Sequence, residues 1–309
     1  MRPSDQLVEQ AEPVVSVIVP CYNSARTIRQ CLTAILNQRA SFSFDVTVVD
    51  SSLDETPKIV EREFPAVRLI HLDKRTFAGA ARNVGVRATR GKYCLMIDSD
   101  CVAHPGLIER AIKRHSEGEY AAVGGSLGNG TPKSLSGLIS YLIEFKEFMP
   151  GAPLRLETSV PTANIAYRRE ALERYGCFDE SMWLAEDIML NWKMHSAGER
   201  ILFDPEIKVT HLNRTGWREV LTYQVGLGQM SAVARRRGGL PGKILLKYPV
   251  LVTLMPFVRT LRAAQWLLKY DRKMFLLFLL IWPLYFVAAT FWSFGFIEEC
   301  MKMDRATDV

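Results

Sequence analysis

The sequence lacks both the paired cysteines of a zinc site and an apolar leader segment. Its six cysteines occur singly, without C-x-x-C spacing, which argues against the common zinc patterns. We expect reduced thiols in a cytosolic domain. Residues 1–13 are polar, so we expect a polar tail there and no secretory signal.

Charged residues are missing from residues 275–297. A run of about 23 uncharged residues is long enough for one membrane crossing, with a buried core helix as the alternative. Hydrophobic residues form 48% of the chain and collect after residue 243. The net charge of +6 arises partly beside this apolar region, which favours a lipid bilayer over nucleic acid as partner.

Basic residues flank the apolar run on its amino-terminal side, over residues 259–273. The positive-inside rule places that flank in the cytoplasm, and with it the part of the chain before residue 238, at the inner (plasma) membrane. Residues 244–258 are apolar but short, and we expect them to lie in the interface or to re-enter. A hairpin of two crossing helices is the competing topology. The sequence thus predicts a membrane-associated region over residues 238–309.

Before residue 238, short apolar runs alternate with helical patterns. The predicted strands are 14–19, 44–49, 67–72, 93–97, 164–167 and 209–212. The predicted helices are 24–38, 54–64, 78–89, 105–117, 134–148, 169–175 and 185–197. Residues 124–130 are glycine-rich and predict a turn. This alternation predicts an α/β domain over residues 14–237, with a mostly parallel sheet, right-handed crossovers and flanking helices.

The strand predicted at 93–97 ends in two carboxylates, Asp98 and Asp100. Open α/β sheets bind ligands at the carboxyl ends of their strands, where both acids would lie. In the turn that follows, the two acids can converge on one hard cation. The alternative is that they cap the helix beginning near Pro105.

Three further patterns lie at predicted strand ends or helix starts. Residues 19–23 read V-P-C-Y-N, a turn that can present amides and a tyrosine face to a base or phosphate. Asp50 ends the second strand and can accept a hydrogen bond from a pyrimidine N–H, or cap a helix. Residues 79–85 read G-A-A-R-N-V-G, where Arg82 can balance phosphate or carboxylate charge. The alternative for this segment is tight helix–sheet packing with a solvated arginine.

Together and in this order, the four patterns resemble those of the family 2 glycosyltransferases, which have the GT-A fold. The resemblance covers roughly residues 14–230 and includes P-x-Y-N, V-D-x-S-x-D-x-T, G-x-x-R-N-x-G and D-x-D. It implies that Asp50 reads uracil or another base, that Asp98 contacts the ribose, and that Asp100 binds Mn²⁺ or Mg²⁺. Ser51 stands where many relatives carry a second acid. The donor-side residues that it implies are Pro20, Tyr22, Asn23, Asp50, Arg82, Asn83 and Asp98.

The resemblance continues at residues 184–187, L-A-E-D, which match the family's E-D motif at a helix start. Asp187 would be the general base that takes the proton of the acceptor hydroxyl, with Glu186 beside it at the substrate. Favourable first-turn charge on a helix is the alternative for both acids. One base opposite the leaving group implies inversion at the anomeric carbon.

Three more residues complete the expected site. His211 would be a further metal ligand, or else a structural histidine. Asn164 resembles the acceptor-side segment of the family. Trp183 could stack on a sugar ring, with a place in the core as the alternative. The Q-x-x-R-W box of many processive members does not occur, which favours transfer of a single sugar.

The sequence therefore predicts a membrane-attached, metal-dependent, inverting glycosyltransferase of cell-envelope glycan synthesis. It would move a sugar from a nucleotide-diphosphate sugar, with a UDP-sugar as the expected donor, to a membrane-associated glycan or lipid-linked acceptor. Nucleotidyl transfer lacks support because no glycine-rich, lysine-containing phosphate loop follows the first strand. A non-catalytic nucleotide-sugar sensor or membrane scaffold is the alternative from another class.

Overall fold

The computed structural model describes the backbone of residues 12–307 and the side chains of residues 12–302. Most of the predicted polar tail, residues 1–13, lies outside the described residues. Within that part of the chain, nine strands form one sheet. The strands are β1 (Val15–Cys21), β2 (Phe44–Asp50), β3 (Arg68–His71), β4 (Tyr93–Ile97), β5 (Cys101–Ala103), β6 (Ala122–Asn129), β7 (Arg155–Glu157), β8 (Asn164–Arg168) and β9 (Ile201–His211). The helices are α1 (Ile28–Leu36), α2 (Thr56–Glu63), α3 (Ala78–Ala88), α4 (Leu107–Glu117), α5 (Leu135–Phe145), α6 (Arg169–Arg174), α7 (Glu186–Ser196), α8 (Trp217–Gly238), α9 (Ile244–Lys247), α10 (Met255–Tyr270) and α11 (Arg272–Thr307).

The sheet has the order β3-β2-β1-β4-β8-β6-β9-β5, with β7 added on β9. The first four strands in this order run parallel, as the βα alternation predicts. β8 runs antiparallel to both β4 and β6, which makes the whole sheet mixed. The predicted α/β fold with flanking helices is confirmed.

Burial explains why these segments form the elements that they do. Every residue of β1 is buried, as expected for a strand covered on both faces. α1 buries Ile28, Leu32 and Ile35, which lie three or four residues apart on one helix face. Each such side chain contributes about 1.5–3 kcal/mol when it leaves water.

Two predictions about the second half of the sheet are wrong. Residues 122–129 form β6 rather than a glycine-rich turn. Close packing within the sheet explains the glycine at position 125, since its neighbours leave no room for a side chain. A Cβ there would lie 1.9 Å from the carbonyl oxygen of Ile207 and 2.4 Å from Nδ2 of Asn164. β9 begins at Ile201, not near residue 209, and continues through Pro205. The proline is tolerated because the β6–β9 register shifts between Gly125 and Ser126.

The carboxy-terminal helices pack on the sheet domain instead of standing apart from it. Ala263 and Leu267 of α10 and Phe278 and Tyr285 of α11 belong to the main hydrophobic core. α11 also contacts α8 and α5. Among the described residues, the segment Arg272–Lys302 is the one helix long and apolar enough to cross a membrane, by length and composition.

Candidate active site

The loops that follow β1, β2 and β4 meet at one edge of the sheet. Cys21 at the end of β1 pairs with Asp50 at the end of β2, and β4 lies on the other side of β1. The Oγ atoms of Ser24 and Ser99 are 2.7 Å apart, and Ser24 N–H donates to Thr56 Oγ1 at 2.9 Å. Three of the four sequence patterns therefore share one edge, as parallel strands require.

Asp50 is buried and holds the turn after β2. Its Oδ1 accepts a hydrogen bond from Ser52 Oγ at 2.5 Å, and its Oδ2 accepts one from Ser52 N–H at 3.1 Å. His71 Nδ1, at the end of β3, lies 2.7 Å from the same Oδ2. The side chain has no exposed surface and these contacts engage both of its oxygens, so the contact between Asp50 and a base stays a prediction. Ser51 Oγ accepts from Thr76 N–H at 3.1 Å and so ties this turn to the loop after β3.

The segment after β1 presents one exposed aromatic residue. Pro20 lies within β1, and Asn23 adopts a φ of 52° while its Oδ1 accepts from Leu53 N–H at 3.0 Å. Tyr22 is 36% exposed, and the guanidinium carbon of Arg75 lies 4.6 Å from the centre of its ring. Tyr22 and Arg75 thus form an aromatic and cationic pair that can contact a base or a phosphate.

Arg82 joins the two acidic motifs. Its buried guanidinium donates from Nη2 to Asp98 Oδ1 at 2.7 Å and from Nη1 to Glu186 Oε1 at 2.5 Å. Burial opposes the charged form, but Asp98 and Glu186 outweigh it and raise the pKa of Arg82 above its usual range. Burial also raises the pKa of Glu186, which Arg82 opposes. One cation therefore holds the end of β4 beside the start of α7.

Asn83, the neighbour of Arg82, ties α3 to the loop between α6 and α7. Its Nδ2 donates to the carbonyl oxygen of Phe178 at 2.9 Å, and its Oδ1 accepts from Phe178 N–H at 3.0 Å. Both ends of the amide are thus engaged within the protein. A contact between Asn83 and the donor stays a prediction.

β5 and β9 bring Asp100 and His211 together. Cys101 pairs with His211 across these antiparallel strands, and Asp100 Oδ1 lies 3.5 Å from His211 Nε2. The ligand atoms of Asp100, Cys101 and His211 lie within 4.8 Å of one another. Burial raises the pKa of the Cys101 thiol well above its usual range, and its soft sulfur atom is a poor ligand for a hard cation.

The hydrogen bonds around His211 fit a metal ion. His211 Nδ1 lies 2.9 Å from Asn213 Oδ1, and Asn213 Nδ2 donates to Asn129 Oδ1 at 2.8 Å, which fixes the amide orientation. Because Asn213 Oδ1 is an acceptor, the tautomer that this contact favours has its proton on Nδ1, which leaves Nε2 to face Asp100. Two acceptors that face each other favour a cation between them. Asp100 and His211 therefore suit Mn²⁺ or Mg²⁺, with the other positions left to ligand oxygens.

Asp187 lies in the first turn of α7 and is held by three hydrogen bonds. Its Oδ2 accepts from Thr162 N–H at 3.2 Å and from Thr162 Oγ1 at 3.3 Å, and its Oδ1 accepts from Ile188 N–H at 2.8 Å. Ala185, two residues earlier, has a φ of 61°, a left-handed conformation that is strained for a residue with a Cβ. The half-buried carboxylate of Asp187 is thereby oriented while it can still accept a proton.

A model of the glycosyl transferase family 2 matches residues 16–176, just over half of the chain. The chain belongs to glycosyltransferase family 2. It is 26% identical over 251 residues to Glycosyltransferase AglE of Haloferax volcanii, covering 79% of this chain and 82% of AglE. It is 29% identical over 218 residues to the succinoglycan biosynthesis protein ExoO of Rhizobium meliloti, covering 66% of this chain and 62% of ExoO.

Solved structures confirm the fold of this glycosyltransferase. The mannosyltransferase PcManGT from Pyrobaculum calidifontis, in complex with GDP-Man and Mn²⁺, superposes with a TM-score of 0.63 at 20% identity, over 94% of this chain and 88% of that one. S. aureus TarS 1-349 in complex with UDP-GlcNAc gives a TM-score of 0.51 at 19% identity, over 94% of this chain and 92% of that one. The predicted family and GT-A type fold are confirmed, and an enzyme is favoured over a non-catalytic sensor.

A cleft of about 540 Å³ opens beside the E-D motif of this glycosyltransferase. Trp183 is 36% exposed and lines it together with the first turns of α8, including Thr222 and Tyr223. The guanidinium carbon of Arg214 lies 3.6 Å from the centre of the Tyr223 ring in the same wall. Trp183 therefore lines a cleft and is not enclosed in the core, and its stacking on a sugar ring stays a prediction.

Asn164 supports the sheet beneath the site. Its Nδ2 donates to the carbonyl oxygens of Ser126 and Ile207, at 3.3 Å and 2.8 Å. The side chain is buried, so its link to the acceptor stays a prediction.

Sequence reasoning missed four residues of this site. His71 ends β3 and contacts Asp50, and Arg75 follows that strand and contacts Tyr22. Arg214 and Tyr223 form part of the cleft wall. The position of His71 and Arg75 just after a parallel strand was an available signal. No sequence signal pointed to Arg214 and Tyr223, because the contact between these two side chains depends on how α8 packs.

Proposed function

We propose that this glycosyltransferase is a metal-dependent, inverting enzyme. It transfers one sugar from a nucleotide-diphosphate sugar, a UDP-sugar in our proposal, to a membrane-associated glycan or lipid-linked acceptor. The observation that carries the proposal is the 3.5 Å approach of Asp100 Oδ1 to His211 Nε2, beside a β4 end that Arg82 joins to the start of α7.

Asp187 acts as the general base. The acceptor hydroxyl gives its proton to this carboxylate as its oxygen attacks the anomeric carbon, and the bond from that carbon to the diphosphate breaks. Attack from the side opposite the leaving group inverts the anomeric centre. The bonds from Thr162 and Ile188 hold the carboxylate in one orientation throughout.

Asp100 and His211 would hold a divalent cation, and such an ion would neutralise the charge of the departing diphosphate. Asp50 and Tyr22 would contact the base, and Arg75 is placed to meet donor phosphate. Mn²⁺ in the PcManGT complex supports a divalent ion without choosing between Mn²⁺ and Mg²⁺.

The expected arrangement in the cell is a catalytic domain, residues 14–237, on the cytoplasmic side of the plasma membrane. Residues 238–309 would attach it to the bilayer. The apolar helix α11 supports membrane association, and the exposed hydrophobic residues of α10 extend the apolar surface. A lipid-linked or membrane-bound acceptor follows from that attachment.

The exchange of Asp187 for asparagine tests the base. Asp187→Asn keeps the shape but cannot accept the proton, so we expect turnover to fall by about 10²–10⁴-fold with donor Kd within about twofold of wild type. Steady-state transfer and calorimetric titration of UDP-sugar with Mn²⁺ measure the two quantities. Asp179→Asn, in the loop before the E-D motif, is the control and should retain turnover. Equal turnover in Asp187→Asn would refute the assignment.

A further inference from the structure

One face of α11 is buried against the protein along its whole apolar stretch. The buried positions 278, 281, 285, 288, 292 and 296 are three or four residues apart, which is one helix face. They face α8, α10 and the core of the sheet domain. Lipid therefore cannot surround α11 at any level of residues 275–297.

α8 and α11 cross with their backbones in contact. A Cβ on Gly228 would lie 2.0 Å from the carbonyl oxygen of Trp292, and a Cβ on Gly295 would lie 2.0 Å from that of Val225. Any larger residue would force the helices apart. α11 is thus built to stay on α8.

α8 is too polar to accompany α11 into hydrocarbon. Gln229 Nε2 donates to Glu298 Oε2 at 2.9 Å between the two helices, and Gln224 is buried beside them. The last turn of α8 carries Arg235, Arg236 and Arg237. Charged groups at the centre of a bilayer are costly, so a crossing by α11 would require separating the two helices.

The opposite face of α11 is apolar and uncovered. Leu280 is 79% exposed and Phe294 is 60% exposed. Phe257 of α10, itself 63% exposed, packs on Phe286 of α11 with ring centres 4.8 Å apart, so the two helices share one surface. We define the apolar face as Phe257, Leu261, Leu276, Leu280, Val287 and Phe294.

Basic residues lie close in sequence to the residues of the apolar face. The exposed ones are Lys243, Lys247, Arg262, Lys269, Arg272 and Lys273. Of the nearby acids, Glu147 pairs with Arg262 at 3.6 Å, and Glu298 pairs with Lys302 at 2.9 Å. The surplus positive charge matches anionic phospholipid headgroups.

We propose that the apolar face seats α10 and α11 in the plane of an anionic lipid bilayer, as a one-sided anchor, so that α11 does not cross. The inference deepens the proposed membrane attachment and replaces the single crossing that the sequence predicts for residues 275–297. α8 links this anchor to the reaction, because Thr222 and Tyr223 line the cleft and Val225 and Gly228 touch α11. Tyr223 and Gly228 are five residues apart, which is about 7.5 Å along the helix, so the cleft lies close to the layer that α10 and α11 form.

The side on which α11 ends distinguishes the two topologies. From Arg272 to Lys302 the helix rises about 45 Å, more than the roughly 30 Å hydrocarbon core, so a crossing would leave its ends on opposite sides. Lys273→Cys and Lys302→Cys are made separately in the full chain. A membrane-impermeant maleimide is applied to intact expressing cells and to inside-out vesicles, with the parent chain giving the background of the native cysteines. We expect both sites to react only in inside-out vesicles. Labelling of Lys302→Cys in intact cells would overturn the proposal.

Vesicle binding tests the apolar face itself. Purified protein is mixed with vesicles of phosphatidylcholine alone or with phosphatidylglycerol added, and binding is measured by flotation. We expect binding to anionic vesicles to be at least about tenfold tighter, since each basic residue near the surface contributes roughly fivefold. Leu280→Glu with Val287→Glu should lose at least tenfold, and Leu53→Glu, which changes an 84% exposed leucine beside the donor loops, should bind like wild type.

Other results would overturn the inference without touching the proposed activity. If neither vesicle type binds, or if the double variant binds as wild type does, lipid does not cover the face. A dimer that dissociates in Leu280→Glu with Val287→Glu would assign the face to a second copy instead. Hydrolysis of UDP-sugar with Mn²⁺, measured without lipid, reports on the enzyme separately, so the two proposals can fail independently.

Discussion

Replacing Arg82 with methionine should destabilise the enzyme strongly. The side chain is 2% exposed and is shared by Asp98 and Glu186, at 2.7 Å and 2.5 Å. Methionine keeps much of the volume but leaves both carboxylates without their cation. Breaking a buried ion pair in this way costs about 3–5 kcal/mol. At roughly 2–4 °C per kcal/mol, we expect Tm to fall by about 6–20 °C.

The fall in Tm should depend on pH, and the pKa of Glu186 decides whether it is larger at high or at low pH. Burial raises the pKa of Glu186 in the folded protein. The stability contribution of such a group is fully present below its unfolded pKa and is lost as pH rises through the folded pKa. Without Arg82 that pKa rises further, so the Tm deficit of Arg82→Met should be larger at pH 8 than at pH 5. Thermal melts at the two pH values measure both quantities.

Arg87→Met is the matched control on the same helix. Arg87 lies 3.3 Å from Glu180, with both side chains at least half exposed. Exposed pairs contribute about 0–1 kcal/mol, so its Tm should change by no more than about 4 °C. If Arg82→Met lost no more than Arg87→Met, or lost equally at both pH values, the buried bridge would not be what stabilises this edge.

Two further changes probe the metal and the acceptor. His211→Gln removes the Nε2 ligand, so the Mn²⁺ concentration that gives half-maximal activity should rise by about 10–100-fold. His195→Gln, a change at an exposed histidine, should leave that concentration unchanged. An unaltered Mn²⁺ titration of His211→Gln would exclude His211 as a ligand. Trp183→Ala should raise the acceptor KM about fivefold, the equivalent of about 1 kcal/mol of stacking, and leave the donor Kd unchanged. Trp183→Phe should bring the acceptor KM part of the way back to the wild-type value. A shift in the donor Kd alone would mean that Trp183 contacts the donor and not the acceptor.

The acids at the strand ends could be predicted because each follows a buried apolar run. Asp50 and Asp98 come directly after such runs, and strand ends of a parallel sheet meet at one edge. The partners of these acids could not be predicted. Arg82 bonds to Glu186 across 104 residues of sequence, a contact that depends on how α3 and α7 pack.

Two boundaries failed for local physical reasons. Ser24 suggested a helix cap, but its N–H bonds to Thr56 and its Oγ lies on Ser99, so α1 begins only at Ile28. The strand predicted at 209–212 begins at Ile201 instead, because a shift in the register between β6 and β9 carries β9 past Pro205. Side chains that hold loops together and irregular strand pairs leave no periodic signal.

The strained backbone at Ala185 has a practical consequence for anyone shortening this enzyme. Ala185 packs with Met182 and with Val233, Ala234 and Leu240, which lie in the second half of α8 and just after it. A fragment trimmed at residue 216 to gain solubility would remove that wall. The left-handed bend before Asp187 would then relax, and the fragment would still recognise nucleotide while losing the alignment that turnover requires.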